Sequence, residues 1–167
     1  MMLYVMRHGL AEDAGAGVAD AGRHLTEKGR ERTRAAAAGM RAMGIVPDII
    51  LTSPLARALE TAELIAAAYD GRQAAQVRPA LGIGPSVADA IATIVPFARH
   101  DNVLVVGHEP QLSAMIATLM AGAADRIHLR MRKGACVALE LPIGRLERGG
   151  AELHWMMTQR QLRKLKG

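Results

Sequence analysis

The feature that most constrains this chain is a short apolar run that ends, without a spacer, in polar residues. Leu3-Tyr4-Val5-Met6 is typical of a buried β-strand, and Arg7-His8-Gly9 follows it directly. In open α/β sheets, ligands bind at the carboxyl ends of the strands. The stretch therefore predicts a strand that brings a cation and an imidazole to a binding edge.

The same arrangement recurs twice further along the chain. A predicted short buried strand at 48–51 ends at Thr52-Ser53-Pro54, with Arg57 close behind, and the apolar run 103–106 ends at Gly107-His108. If these strands are parallel neighbours of the first, their carboxyl ends meet at one edge of the sheet. Two arginines and two imidazoles would then converge and repel one another unless an anion lies between them. Phosphate is the expected anion.

Helical signals separate the strands. Thr26 predicts the N-cap of a helix whose Ala-rich body covers 30–43. Ser53 predicts the N-cap of the next helix, with Pro54 as its first helical residue and its end near Tyr69. Strands that alternate with helices in this way indicate an α/β fold.

The predicted fold is a three-layer α/β/α sandwich that forms a single domain over residues 1–167. Two final strands, at 136–141 and 152–157, have no helix between them. The central sheet is therefore expected to be mostly parallel, with an antiparallel part. A short basic helix at 159–166 is expected to end the chain.

Composition narrows the functional classes. The net charge is +5, yet the basic residues are scattered, with local concentrations only at 126–133 and 160–166. Aromatic residues make up only 2% of the chain, so few side chains could stack on bases, and no nucleic-acid partner is expected. No apolar run approaches the roughly 20 residues that span a bilayer. No membrane association and a cytoplasmic location are therefore expected, and the single cysteine, Cys136, suits a reducing compartment.

Together, the three junctions resemble the signature of a known family. Arg7-His8-Gly9, Ser53-Pro54-Leu55 with Arg57, and Gly107-His108 are similar to the motifs of the histidine phosphatase superfamily, the phosphoglycerate-mutase-like proteins. Within that superfamily the chain resembles the SixA-type phosphohistidine phosphatases. Supporting matches are Leu25-Thr26-Glu27-Lys28-Gly29, Leu51-Thr52-Ser53-Pro54-Leu55 and Val106-Gly107-His108-Glu109-Pro110.

The resemblance implies a role for each of these residues. His8 would attack phosphorus and become a transient phosphohistidine, which water then hydrolyses. The implied catalytic residues are Arg7, His8, Arg57 and His108. Substrate contacts are implied for Arg7, Arg57 and His108, and further for Gly9, Ser53 and Glu109. The resemblance implies no cofactor and no metal, because arginines would neutralise the phosphoryl charge.

One departure from the wider family indicates the substrate. The mutase and phosphomonoesterase members that the chain resembles carry an acidic proton donor after the second helix, but residues 78–86 of this chain contain no Asp or Glu. An imidazole leaving group does not need that donor, since the pKa of its conjugate acid is about 6.5. The expected partner is therefore a phosphohistidine-bearing protein of the histidine phosphotransfer or phosphocarrier type. Glu12, Asp89 and Glu109 remain candidate donors.

Two alternatives remain open at this point. The first is a small-molecule phosphomonoesterase of the same superfamily. The second is a catalytically idle module that binds phosphorylated ligands through the same cluster. The basic stretch 130–133 and the basic C-terminal tail are read as solvated faces that could help to dock an acidic partner.

Overall fold

The fold is known from a computed structural model that describes residues 1–13 and 20–165. Part of the predicted loop 10–22, residues 14–19, therefore lies outside the described residues. Six strands are present: β1 (Met2–Arg7), β2 (Ile49–Thr52), β3 (Ala75–Val77), β4 (Asn102–Gly107), β5 (Cys136–Glu140) and β6 (Glu152–Met157). The α-helices are α1 (Glu27–Ala42), α2 (Ala56–Ala67), α3 (Val87–Ile94), α4 (Gln111–Ala121) and α5 (Gln159–Lys164).

The six strands form one sheet in the order β3-β2-β4-β1-β5-β6. The first four strands of that order are parallel to one another, and β5 and β6 add an antiparallel part at the other edge. The predicted mixed sheet is therefore confirmed. The three strands that end in candidate site residues, β2, β4 and β1, are direct neighbours.

Both faces of the sheet are covered, as the alternation along β1 requires. Leu3 and Val5 pack on one side in a core shared with α3 and α4. Tyr4 and Met6 pack on the other side in a core shared with α1, α2 and α5. Successive side chains of a strand point to opposite faces, so a strand buried on both sides is apolar throughout. The three-layer α/β/α sandwich is confirmed, and a single domain over 1–167 stays a prediction.

The helix starts were predicted with mixed success. Thr26 caps α1 as expected, since its hydroxyl accepts the N–H of Gly29 at 3.0 Å. The prediction that Ser53 caps α2 and that Pro54 is its first helical residue was wrong, because α2 begins at Ala56. The reason is that Ser53 still belongs to the sheet ladder, where its N–H donates to the carbonyl of Val106 at 3.0 Å.

Within the described part of the chain, no helix is both long enough and apolar enough to cross a lipid bilayer.

Candidate active site

The register of the sheet places the two predicted active-site histidines side by side. Arg7 of β1 is paired with Gly107 of β4, so the residues that follow each of them leave the sheet together. The N–H of His8 donates to the carbonyl of Gly107 at 3.1 Å. The imidazole rings of His8 and His108 have centroids 5.1 Å apart and planes tilted by 49°. The strand ends therefore meet as the sequence predicted.

His8 is held in one tautomer by its own backbone. Its Nδ1 lies 2.8 Å from the carbonyl oxygen of Gly9. A carbonyl oxygen can only accept a hydrogen bond, so Nδ1 carries the proton and Nε2 keeps its lone pair. Burial above all lowers the pKa of His8 to about 3, and the positive charges of Arg57 and Arg7 act in the same direction. His8 is thus a neutral imidazole whose Nε2 can attack an electrophile.

His108 is also neutral and is oriented by a hydroxyl group. Its Nε2 lies 2.8 Å from Oγ of Ser53, and that oxygen also accepts the N–H of Leu55 at 3.2 Å. Burial, followed by the positive charge of Arg57, lowers the pKa of His108 to about 4. Ser53, which does not cap α2, instead positions the His108 ring. A direct contact between Ser53 and substrate stays a prediction.

Two arginine side chains complete the cluster, and each is held by a carbonyl oxygen. Arg57, the second residue of α2, is only 2% exposed and donates to the main-chain oxygen of Asp20 at 2.6 Å and to its carboxylate at 2.9 Å. Arg7 donates to the carbonyl of Met131 at 2.8 Å. In the described residues, Nε of both arginines and Nδ1 of His108 are buried without a partner. Buried polar groups are normally paired, so this set suits an oxyanion.

The sequence analysis missed two residues of the site, Asp20 and Arg23. The carboxylate of Asp20 joins the guanidinium groups of Arg23 and Arg57, and both lower the pKa of Asp20, Arg23 more strongly. The charge of Arg23 also lowers the pKa of His108, so a third arginine acts electrostatically on this imidazole. Neither residue follows a strand, so the pattern that identified the other site residues does not apply to them.

Close packing beside His8 explains the glycine at position 9. Its N–H donates to Oγ1 of Thr61 at 3.0 Å, and a Cβ at this position would lie 2.7 Å from Oγ1 of Thr33. Any larger residue would therefore push α1 away from the strand end. This explains the glycine in Arg7-His8-Gly9, while a contact of Gly9 with substrate stays a prediction.

The three candidate proton donors occupy different environments. Glu12 accepts the backbone N–H of His24 at 3.1 Å. Asp89 closes the capping box of α3 with Ser86, which lowers the pKa of its carboxyl group. Glu109 follows His108 directly, and its Oε2 accepts the hydroxyl of Ser113 at 2.6 Å. Of these three candidates, Glu109 is the one that adjoins a histidine of the site in the chain.

A cleft of about 340 Å³ opens next to His108. Its walls come from the segment 82–87 and from residues 108–111 with Ala114, which are largely glycine, proline and apolar residues. Ile83 on its rim is 61% exposed. Glu109 is the one charged side chain in these walls. The cleft therefore suits a flat, weakly polar group attached to the bound oxyanion.

The lowered pKa values give a testable result. We expect neither His8 nor His108 to titrate between pH 8 and pH 5, because their pKa values are about 3 and about 4. Titration of the carbon-bound ring protons by NMR checks this, and a midpoint near 6.5 for either ring would contradict it.

The same shifts have a consequence for stability, with a fixed sign. Below about pH 6.5 the unfolded chain binds protons on these histidines that the folded chain does not. The free energy of unfolding should therefore fall as pH is lowered from about 6.5 towards 4, by at most about 1.4 kcal/mol per pH unit for each buried histidine. Urea unfolding of the wild type and of His8→Gln, which should show a shallower pH dependence, measures this.

Comparisons with known proteins agree with this geometry. The family model described as histidine phosphatase superfamily (branch 1) matches residues 3–82. An uncharacterized protein of Picosynechococcus sp. (strain ATCC 27264 / PCC 7002 / PR-6) is 34% identical over 149 residues, which cover 88% of this chain and 89% of that protein. The structure of the protein histidine phosphatase SixA complexed with tungstate matches with a TM-score of 0.84 and 25% identity, covering 97% of this chain and 99% of the other. The alpha-ribazole phosphatase from Shigella flexneri matches with a TM-score of 0.77 and 21% identity, covering 95% and 97%.

Proposed function

Because the chain belongs to the histidine phosphatase superfamily, we propose that it is a cytoplasmic phosphatase that acts on phosphohistidine in a signalling or phosphotransfer protein. The observation that carries the proposal is the composition of the cleft beside His108. The segment 82–87, which forms one wall, supplies no carboxylate to protonate a departing alkoxide. The likeness to SixA, which is a protein histidine phosphatase, supports the same substrate class.

The first step is an in-line attack by Nε2 of His8 on phosphorus. The substrate ring carries a proton on its other nitrogen, so that the new N–P bond forms as the bond from phosphorus to the substrate imidazole breaks, and the electron pair of that bond stays on the departing nitrogen of a neutral imidazole. The hydrogen bond from Nδ1 of His8 to the carbonyl of Gly9 stabilises the positive charge that develops on the phosphorylated ring. In the second step, water attacks phosphorus, releases inorganic phosphate and returns the lone pair to Nε2.

The charge of the phosphoryl oxygens is neutralised by Arg7 and Arg57, and the neutral His108 adds a hydrogen bond from Nδ1, which is buried without a partner among the described residues. The guanidinium of Arg57 is fixed by two hydrogen bonds to Asp20, and that of Arg7 by one to Met131. Groups that are already oriented need no rearrangement as charge moves onto the oxygens. Stabilisation of the transition state by such groups is the main contribution to the rate acceleration in phosphoryl transfer. These side chains supply the positive charge that such a step needs.

The leaving group distinguishes phosphohistidine from a phosphate ester. A substrate imidazole departs as a group whose conjugate acid has a pKa of about 6.5, whereas an alkoxide needs a proton from an acid as it leaves. The apolar walls near Ile83 suit an imidazole ring better than a sugar, whose hydroxyl groups would lose their hydrogen bonds to water there. Phosphohistidine is therefore the substrate that the site fits best.

The test compares phosphohistidine with phosphate esters. We expect kcat/KM for a phosphohistidine-bearing phosphotransfer protein to exceed that for any ester in a panel of sugar and nucleoside phosphates by about 100-fold or more. Release of inorganic phosphate at pH 7 to 8 measures both reactions. Faster turnover of the esters would contradict the proposal.

Glu109 favours one alternative, a phosphomonoesterase that acts on a small molecule. Its Oε2 accepts the hydroxyl of Ser113, while its Oε1 is buried and has no partner among the residues that the structure describes. If this carboxyl group protonates an ester oxygen, Glu109→Gln should slow ester hydrolysis and leave phosphohistidine hydrolysis unchanged. Equal activity of the wild type and Glu109→Gln on every ester would exclude that role.

A further inference from the structure

A second and larger cleft, of about 630 Å³, lies between α1, residues 132–133 and α5. We call it the basic groove. Its basic residues are Arg32, Arg132, Lys133, Arg160, Arg163 and Lys164. The other side chains in its walls, from Thr158, Gln159 and Gln161, are uncharged. The groove therefore concentrates positive charge that is dispersed along the sequence.

These six cations are not neutralised within the protein. Among residues 1–13 and 20–165, none of them forms an ion pair with an aspartate or glutamate. Like charges brought into one groove repel one another, and a cleft lined by one sign of charge attracts the opposite sign from solution. An acidic ligand would relieve that repulsion.

The groove is connected to the active site through the segment 131–134. The carbonyl of Met131 holds the guanidinium of Arg7, and the N–H of Gly134 donates to the carbonyls of Arg7 and His8 at 3.1 and 2.9 Å. Gln159, the first residue of α5, packs so closely on Gly134 that a Cβ there would lie 2.4 Å from its amide nitrogen. A ligand in the groove therefore lies next to the strand end that carries the nucleophile.

We propose that the basic groove docks an acidic surface of the phosphohistidine-bearing protein and delivers its phosphorylated histidine to His8. This inference rests on the proposed function and adds the feature by which the substrate protein is recognised. Among the residues that the structure describes, no aromatic side chain lines the groove, so these walls offer nothing on which nucleic-acid bases could stack. Carboxylates on a protein surface match its charge and need no stacking.

Two synthetic peptides test the proposal. Both carry the same phosphohistidine; one has four glutamates on one side of it, and the other has four glutamines. We expect the wild type to hydrolyse the glutamate peptide with a kcat/KM about tenfold higher, and we expect this preference to shrink as salt is raised from 20 to 300 mM. Equal rates on the two peptides would overturn the docking proposal and leave the proposed function intact. Failure to hydrolyse either peptide would overturn the proposed function.

Matched variants locate the effect. The triple variant Arg132→Gln/Arg160→Gln/Lys164→Gln removes three exposed charges from the groove. The control, Arg72→Gln/Arg99→Gln/Arg148→Gln, removes three exposed charges that do not line it. We expect the groove variant to lose the preference for the glutamate peptide and to hydrolyse the glutamine peptide as the wild type does, while the control keeps the preference. The same loss in both variants would show an effect of net charge and overturn the proposal.

A competition assay separates the two classes of polyanion. Poly-glutamate should inhibit hydrolysis of the glutamate peptide by the wild type more strongly than a single-stranded oligonucleotide of equal charge. The groove variant should resist that inhibition. Stronger inhibition by the oligonucleotide would overturn the assignment to an acidic protein surface.

Discussion

Replacement of His8 by Ala is expected to reduce kcat by about 10⁴-fold or more, because no other group can form the covalent intermediate. His8 is 5% exposed, its Nδ1 proton is committed to the carbonyl of Gly9, and its pKa of about 3 keeps Nε2 unprotonated. The neighbouring His108 is not expected to replace it, because Nε2 of His108 is paired with Oγ of Ser53 and its Nδ1 binds a phosphoryl oxygen in the proposed mechanism. The loss should therefore appear in kcat rather than in substrate binding.

Rapid mixing with a ³²P-labelled phosphohistidine substrate, followed by an alkaline quench, measures this effect. The wild type should retain label on the protein during turnover, and His8→Ala should retain none. The exposed His128, changed to Ala, is the matched control and should behave as the wild type does. If His8→Ala instead kept the biological function of the protein although it hydrolysed no substrate, this would indicate the alternative of a binding module without catalytic activity.

Replacement of Arg57 by Lys is expected to reduce kcat by about 10³-fold, although the positive charge is kept. The planar guanidinium of Arg57 donates to the main-chain oxygen and to the carboxylate of Asp20. The single ammonium group of a lysine cannot make both hydrogen bonds in this geometry and also bind the phosphoryl group. The lysine side chain is also shorter than that of arginine. Because position 57 is nearly fully buried, bulk water cannot bridge the gap between its ammonium group and the phosphoryl oxygens. The oriented charge at the phosphoryl oxygens would therefore be lost.

The control for this prediction is another arginine that donates to a main-chain carbonyl. Arg41→Lys changes a side chain of α1 that donates to the carbonyl of Ala68, outside the site, and should leave kcat unchanged. Single-turnover kinetics of Arg57→Lys should show a slow phosphoryl-transfer step with little change in KM. Full activity of Arg57→Lys would show that charge alone is sufficient and would contradict the role given to the fork.

The fold and the centre of the site were accessible from the sequence because they depend on local patterns. Three apolar runs that end in polar residues identify strand ends, and the alternation with helices indicates parallel neighbours. The sheet order β2-β4-β1 then brings His8 and His108 together without any further assumption. Arg57 followed from its position in the first turn of a helix, where side chains lean back towards the strand end.

The remaining parts of the site depend on contacts between segments distant in sequence. Asp20 reaches Arg57 across 37 positions, and Ser53 reaches His108 across 55. No local pattern encodes such pairs. The helix cap assigned to Ser53 failed for the same reason, because the backbone of Ser53 pairs with Val106 of a distant strand. The basic groove, likewise, combines α1 with two separate basic segments.

The pairing of β1 with β4 also determines which segments around the site can vary without displacing the two imidazole rings. Neighbouring strands lie about 4.8 Å apart, and the two imidazole rings, one at the end of each strand, have centroids 5.1 Å apart. Their separation thus follows the backbone rung, and the ring orientations are set by the carbonyl of Gly9 and by Oγ of Ser53. The segment 82–87 contributes neither of these hydrogen bonds, so we expect that it can be exchanged or lengthened with little movement of either ring. Such a scaffold separates reactivity from selectivity, so that new leaving groups can be accommodated by redesigning a connection while the nucleophile stays in place.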